Sequence, residues 1–180
     1  MVGSLEFIKS DTASTVSSIE IADCFNDKYD VYKIFVTKFK SSVANRFFGC
    51  FLLDSSNSQI ATTTYDTASL RMGSYFSFIE DRFTGKTGWY NVAQFDDDLD
   101  KSMGLELTVF NPYDSSSYTF LEANTINFYS TSGTIGTKYI GVEKTAQQCN
   151  GFRFDVRTSG GTTLEVNGID NITVKVYGVK

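Results

Sequence analysis

The sequence of 180 residues contains no histidine. This absence excludes imidazole general bases, Ser/His and Cys/His nucleophile pairs, and every histidine-containing zinc or iron site. The three cysteines, Cys24, Cys50 and Cys149, are widely spaced and form no C-x-x-C pair. We therefore expect three reduced thiols rather than a disulfide framework or a thiolate metal site. We also expect no catalytic residues, no cofactor and no enzymatic activity.

Positive charge and long apolar runs are also scarce. Sixteen Lys and Arg stand against 21 Asp and Glu, which gives a net charge of −5 and an acidic sequence pI of about 4.7. A negative net charge disfavours binding to a phosphate backbone, which is also negative, so we expect no nucleic-acid partner. No apolar run approaches the ~18 residues that a membrane span needs, and the N-terminus lacks a basic region followed by an apolar one. We therefore expect neither membrane insertion nor a secretory signal.

Aromatic and β-branched residues dominate the sequence, and they alternate with polar residues with a period of two. The chain contains 16 Phe and 10 Tyr but a single Pro. Turn-forming Asn, Asp, Ser and Gly separate the apolar segments, which is the rhythm of a sandwich or a barrel. The strands are predicted at 4–9, 16–21, 31–40, 47–53, 60–65, 74–79, 88–92, 105–110, 118–124, 125–129, 137–142, 152–157, 163–166 and 172–179. Strict alternation along 31–40 places Phe39 on the same face as Val31 and Phe35. The predicted fold is an all-β, single-domain antiparallel β-sandwich, jelly-roll-like, over residues 1–180.

Several aromatic residues are candidates for contact with a partner. Trp89 and Tyr90 follow a glycine-bounded turn and have rings that suit a sugar face or a protein surface. Burial at the start of a strand is the favoured alternative for Trp89, since a single tryptophan in a sandwich is commonly a core residue. Tyr113 and Tyr118 flank a serine-rich turn, and their polar neighbours make them better candidates for exposed rings.

Acidic residues cluster at 96–100, where Asp96, Asp98 and Asp100 alternate. Carboxylates at this spacing can converge on a hard cation. An EF-hand loop that starts at Asp96 would need Gly at position 101 and Glu at position 107, and the sequence has Lys101 and Leu107 there. A solvated acidic loop is the favoured interpretation, and cation binding stays open. Paired carboxylates elsewhere are too common among 21 acids to indicate a glycosidase.

Several segments together resemble a known family. These are GSLEFIK at 3–9, DKYDVYKI at 27–34, TYDTAS at 64–69, LTVFNP at 107–112, SYTF at 117–120 and GIDNITVKVYGVK at 168–180. They are similar to the strand and turn signatures of small β-sandwich virion proteins that marine tailed bacteriophages encode. The resemblance spans most of the chain and contains no active-site motif.

The resemblance implies a structural protein on the outer surface of a virion. One role is that of a capsid decoration or cement protein, which binds the major capsid protein or other virion proteins and stabilises capsomers. The alternative is a tail fibre or tail-tip module that recognises a host glycan. We favour decoration because the chain has no repeat or coiled-coil stalk. A homo-oligomer, for example a trimer, suits either role.

The N-terminal segment 1–10 is the predicted docking element in that role, either as an arm or as an edge strand. Its apolar residues are Val2, Leu5, Phe7 and Ile8. An apolar edge strand can add to the sheet of a neighbouring subunit by β-augmentation. We therefore expect these four residues to contact a virion protein.

Overall fold

The computed structural model describes residues 4–95, 103–129 and 133–180, leaving aside the side chains of Phe76 and Tyr129. Twelve strands and one short 3₁₀ turn, Ser159–Gly161, are present in these ranges. The strands are β1 Leu5–Val16, β2 Ser18–Ile21, β3 Val31–Ser41, β4 Arg46–Leu53, β5 Tyr65–Gly73, β6 Phe76–Lys86, β7 Trp89–Phe95, β8 Met103–Phe110, β9 Thr119–Tyr129, β10 Gly133–Glu143, β11 Gly151–Arg157 and β12 Ile169–Val179. The prediction of an all-β fold is confirmed.

The strands form two antiparallel sheets of unequal size. The larger sheet has eight strands in the order β1-β12-β3-β8-β9-β10-β5-β6, and the smaller has four in the order β2-β11-β4-β7. Every strand pair in both sheets is antiparallel. The predicted antiparallel sandwich is therefore confirmed, with the larger sheet extending beyond the smaller one.

The core lies between the two sheets. Alternate residues of β3 and β12, such as Ile34 and Val174, point inward and are fully buried. Aromatic rings from the smaller sheet meet them, and Phe48 and Phe154 contact each other with centroids 4.7 Å apart. Phe39 of β3 contacts Phe48 edge-to-face at 5.0 Å. Burial of this many aromatic and branched side chains is the main stabilising contribution to the sandwich.

The far side of the smaller sheet is also covered. Phe51 and Tyr90 lie on that side, and both are buried. The Arg157 guanidinium stacks over Phe51 at 4.6 Å from the ring centroid and donates to the carbonyl of Gly161 at 3.2 Å. The amide of Gly160 donates to Asn91 Oδ1 at 3.0 Å. The 3₁₀ turn is thereby fixed over β7, and β4 and β7 are buried on both faces.

Several strand predictions are wrong in their extent, and 74–79, for example, overlaps the first part of the longer strand β6. Residues 60–64 are not a strand, and the strand begins instead at Tyr65 and continues to Gly73. Residues 163–166 contribute only one isolated bridge, between Leu164 and Arg157. The segments 118–124 and 125–129 form one continuous strand, β9. Short apolar runs carry too little periodicity to fix where a strand starts or stops.

The predicted face of Phe39 is also wrong. Lys38 has a φ of 55°, and the pairing of β3 with β8 shifts register between Val36 and Phe39. A bulge of this kind adds one residue and reverses the alternation beyond it. Phe39 is therefore buried in the core rather than placed on the face of Val31 and Phe35.

Candidate interaction surface

One face of the larger sheet carries large apolar side chains that the described chain leaves exposed. On β9, the inward residues Leu121 and Ala123 are buried, whereas the outward residue Ile126 is 61% exposed. On β10, the outward residue Ile140 is 54% exposed. Antiparallel sheets with one buried face normally place polar residues on the other. We define the open face as the outward side of β8, β9, β10, β5 and β6, and its exposed apolar residues are Leu70, Met72, Phe78, Phe120, Ile126, Phe128 and Ile140.

The apolar residues of the open face are aligned across neighbouring strands. Phe110 of β8 lies opposite Phe120 of β9, which lies opposite Val142 of β10. These three residues and Ile140 line a shallow groove of about 520 Å³. Cross-strand neighbours of this kind are about 5 Å apart and form a continuous surface.

Ile126 projects farther than its neighbours on the open face. It lies opposite Gly104 of β8 and Gly136 of β10, neither of which has a side chain. A second shallow groove of about 370 Å³ runs beside it and is lined in part by Phe35 and Asn124. Ile126 is therefore a ridge residue that a partner would contact first.

The charged residues at outward positions on the open face are paired. Glu122 accepts from Lys138 at 3.0 Å, Glu80 accepts from Arg82 at 2.5 Å, and Asp66 accepts from Lys144 at 2.6 Å. Lys144 holds the pKa of the Asp66 carboxyl below its usual value. Glu106 pairs with Lys33 of the adjacent strand. Four anions and four cations balance, so this surface is neutral although the chain carries −5.

The N-terminal segment is part of the larger sheet rather than a free arm. β1 pairs with β12 from Leu5 onward and lies at the sheet edge. Leu5 is 52% exposed and Phe7 is 57% exposed, whereas Ile8 is half-buried against the core. Phe7 contacts Tyr177 edge-to-face with centroids 5.6 Å apart. Val2 lies outside the described residues.

Trp89 and Tyr90 do not lie on the surface, which corrects their assignment as contact residues. Trp89 is fully buried and packs edge-to-face on Tyr65, with ring centroids 5.3 Å apart. Tyr90 is covered by the 3₁₀ turn, and its hydroxyl lies 2.6 Å from the Thr87 hydroxyl. The alternative of a core tryptophan is confirmed, because β7 is buried on both of its faces.

Tyr113 and Tyr118 differ in exposure. Tyr113 is partly buried against the core, and Tyr118 is 46% exposed. Tyr113 lines a small polar pocket of about 170 Å³ with Tyr29, and the other lining residues are Asn26, Asp27, Asp30, Asn111 and Asp114. Amide and carboxylate groups beside two phenol rings can hydrogen-bond the hydroxyl groups of a small polar ligand.

The buried acidic residues have structural partners. Glu143 accepts from the Thr64 hydroxyl at 2.6 Å and from the Thr145 amide at 3.0 Å. Asp155 accepts from Arg157 Nε at 2.9 Å and Nη2 at 2.8 Å, and burial raises the pKa of its carboxyl although Arg157 opposes the shift. Both carboxylates thus hold loops and strands together.

The described residues contain neither a cluster of metal ligands nor a membrane-spanning helix. No group of three or more Cys, Asp or Glu in residues 4–95, 103–129 and 133–180 is placed to hold a metal ion. Within the same ranges, no helix is long and apolar enough to cross a membrane. Asp96, Asp98 and Asp100 lie outside the described residues, so their interpretation stays a prediction.

The residues of the open face were not singled out from the sequence. A signal was present in β9, where apolar residues occupy both phases of the alternation, Leu121 and Ala123 in one and Phe120 and Ile126 in the other. A strand of this kind has two apolar faces. What the sequence does not show is which of the two apolar faces of β9 meets the smaller sheet, where β7 packs on β5, β9 and β10.

Comparisons with known proteins gave two distant structural similarities. No family model matches the chain, and no curated protein matches it. The marine PL-14 alginate lyase from Aplysia kurodai is similar with a TM-score of 0.37 and 8% identity, over 87% of this chain and 72% of that one. A structure of infectious bursal disease virus, Gx strain, has a TM-score of 0.14 and 11% identity, over 98% of this chain and 35% of that one. TM-scores this low do not establish a shared fold, so neither similarity assigns a function.

Proposed function

We propose that this chain is a structural protein of a bacteriophage virion, and that it decorates the outer surface of the head by binding the major capsid protein through its open face. The exposed apolar surface around Ile126 and Ile140 is the observation that carries the proposal. The family resemblance of segments such as 3–9 and 168–180 supports the virion setting.

The size of the open face supports protein binding. Five adjacent strands at about 4.8 Å spacing and about eight residues of about 3.4 Å rise cover about 600 Å². A monomeric protein rarely exposes a contiguous apolar patch above a few hundred Å², and a specific interface buries about 800 Å² per partner. The open face therefore supplies about three quarters of the area that one partner buries in a specific interface.

The charge pattern also supports a protein partner. Each outward carboxylate, such as Glu122, already has a cation within the same face. Docking therefore leaves no unpaired charge on this side, which limits the cost of removing water. The exposed end of β1, with Leu5 and Phe7, continues the apolar surface on the same side of the sheet.

A binding assay on capsids that lack the chain tests the proposal. The double variant Ile126→Lys/Ile140→Lys places two charges in the interface and is expected to weaken binding at least tenfold. The matched control is Val166→Lys, because Val166 is 77% exposed and lies in the loop between β11 and β12. Phe7→Ser tests whether the β1 end takes part.

Two measurements can contradict the proposal, the capsid-binding assay and the localisation of the chain on virions. If the double variant saturates capsids at the wild-type concentration, the open face is not the capsid-binding surface. Cryo-electron microscopy of intact virions should show many copies on the head. A few copies confined to the tail would instead favour the second candidate.

The second candidate is a tail-tip module that binds a host glycan. The polar pocket between Tyr29 and Tyr113 favours it, because aromatic rings and carboxylates such as Asp30 are groups that bind sugars. A glycan array probed with the wild-type chain and with the Asp30→Ala variant tests this function. Binding of one glycan class by the wild type but not by the variant would support it, and no binding by either would reject it.

A further inference from the structure

The edge strand β6 exposes apolar side chains at an open edge of the larger sheet. It is the last strand of the larger sheet, and no other described strand pairs with its free side. Phe78 is 71% exposed and Ile79 is 37% exposed. Natural proteins usually protect edge strands with lysines, prolines or bulges, because unpaired backbone groups and apolar side chains invite another strand.

Both edges of the larger sheet carry irregularities. β1 has a register irregularity between Phe7 and Lys9, and Thr15 has a φ of 53°. β6 pairs regularly with β5 from Ile79 to Phe83, and its irregularities lie on either side of that stretch. A regularly paired stretch of five residues is therefore available at the free edge of β6.

The sequence of this stretch is self-complementary in an antiparallel arrangement. A twofold axis through Asp81 and perpendicular to the sheet places Glu80 of one copy opposite Arg82 of the second copy. The same axis places Ile79 opposite Phe83. Opposite charges and two apolar side chains are the favourable cross-strand combinations.

The neighbouring registers lack this complementarity. A twofold axis through Glu80 places two glutamates opposite each other, and one through Arg82 places two arginines opposite each other. Like charges directly opposite are destabilising. The register centred on Asp81 is therefore the one that the charges select.

The same axis places the two Asp81 residues opposite each other, but this pair does not destabilise the register. Asp81 faces the smaller sheet and lies 2.9 Å from Arg71 Nη2 within its own chain, with 23% of its side chain exposed. Glu80 and Arg82 lie on the open face and are 63% and 76% exposed. They are free to exchange their contact within the strand for contacts across the twofold axis.

We propose that two copies of this chain form a twofold dimer by antiparallel pairing of their β6 strands. The pairing joins two eight-stranded sheets into one continuous sheet and places both open faces on the same side. This proposal does not depend on the proposed function, because it concerns the strand edge rather than the open face or the virion.

Charge reversal at two positions tests the dimer. Analytical ultracentrifugation of the wild type should show a concentration-dependent dimer. Glu80→Arg or Arg82→Glu alone creates two like-charge pairs and should weaken dimerisation at least tenfold. The double variant Glu80→Arg/Arg82→Glu restores opposite charges at both places and should restore the dimer. Circular dichroism of each variant confirms that it is folded.

A mixture of the two single variants tests the dimer most directly. In the mixture, both positive positions of one copy lie opposite both negative positions of the other, so a heterodimer is expected where each variant alone is monomeric. The control Glu122→Lys reverses a charge on the open face away from the edge and should leave the dimer intact. A wild type that stays monomeric at 100 µM, single variants that dimerise normally, or a dimer lost only with Glu122→Lys would overturn the proposal.

Discussion

The indole of Trp89 lies directly against Gly141 of β10. A Cβ at residue 141 would be 2.6 Å from Trp89 Nε1 and 2.7 Å from its Cδ1. Trp89 is fully buried, so the ring has no free space into which it can retreat. The absence of a side chain at this position of β10 thus permits the smaller sheet to approach the larger one.

The variant Gly141→Ala is expected to destabilise the fold by about 1–3 kcal/mol, because the added methyl group overpacks the core. Chemical denaturation followed by Trp89 fluorescence measures the change. The control is Gly136→Ala on the same strand, where an added Cβ would meet its nearest atom at 3.6 Å, an ordinary contact. Equal stability of the two variants would show that Trp89 does not require the space.

Removal of the Arg157 side chain should also destabilise the protein. Arg157→Met leaves the buried Asp155 carboxylate without its main partner, and the expected loss at neutral pH is about 3 kcal/mol. Burial raises the pKa of Asp155 above its usual value of 3.8, and loss of Arg157 raises it further. A raised folded-state pKa favours folding at low pH and disfavours it as the pH rises. The deficit relative to wild type should therefore shrink as the pH falls toward 4, and a deficit that does not change with pH would contradict the assignment.

The stability that Glu6 contributes depends on pH in the opposite direction. Lys180 and then Lys28, the latter at 2.6 Å, lower the pKa of Glu6 from 4.5 to about 2. A lowered folded-state pKa contributes stability above pH 4.5 that is lost as the pH falls toward 2. The urea midpoint of wild type should therefore exceed that of Glu6→Gln at pH 6, and the difference should vanish near pH 2. High salt should reduce the difference at pH 6, since the pairs are on the surface.

The three cysteines should be unreactive in the folded protein. Cys24, Cys50 and Cys149 are free and buried, and burial raises the pKa of Cys149 to about 12 and that of the other two thiols as well. The thiolate is the reactive form, so a chromogenic disulfide reagent at pH 8 should label none of them. Three thiols should react after unfolding. Rapid labelling of any one of them in the native state would show that the segment around it opens.

The fold class could be predicted from the sequence because period-2 alternation and turn residues recur along the whole chain. Burial of Trp89 also followed from the general behaviour of a single tryptophan in a sandwich. The position of Phe39 could not be predicted, because the bulge at Lys38 depends on pairing with β8 rather than on local sequence. The strand at β5 was missed because residues such as Ser69 and Arg71 are polar, although both pair with neighbours on each side.

The candidate surface was less predictable than the fold. Leu5 and Phe7 were predicted to contact a virion protein; both are exposed, and the contact itself stays a prediction. Ile126 and Ile140 were not singled out, because no local pattern shows which of the two apolar faces of a strand meets the smaller sheet. That choice depends on contacts between residues far apart in the chain.

The place of β12 between β1 and β3 determines the order in which the larger sheet can be completed on the ribosome. Phe7 pairs with Tyr177, so the first strand waits for the last of the twelve before it gains a neighbour in its sheet. The strands from β3 to β11 can meet earlier, since their partners are synthesised between them. Pairings that span nearly the whole chain slow folding. We therefore expect a nascent chain that ends before residue 169 to hold β3 as a temporary edge, with β1 unpaired in that sheet until β12 is synthesised.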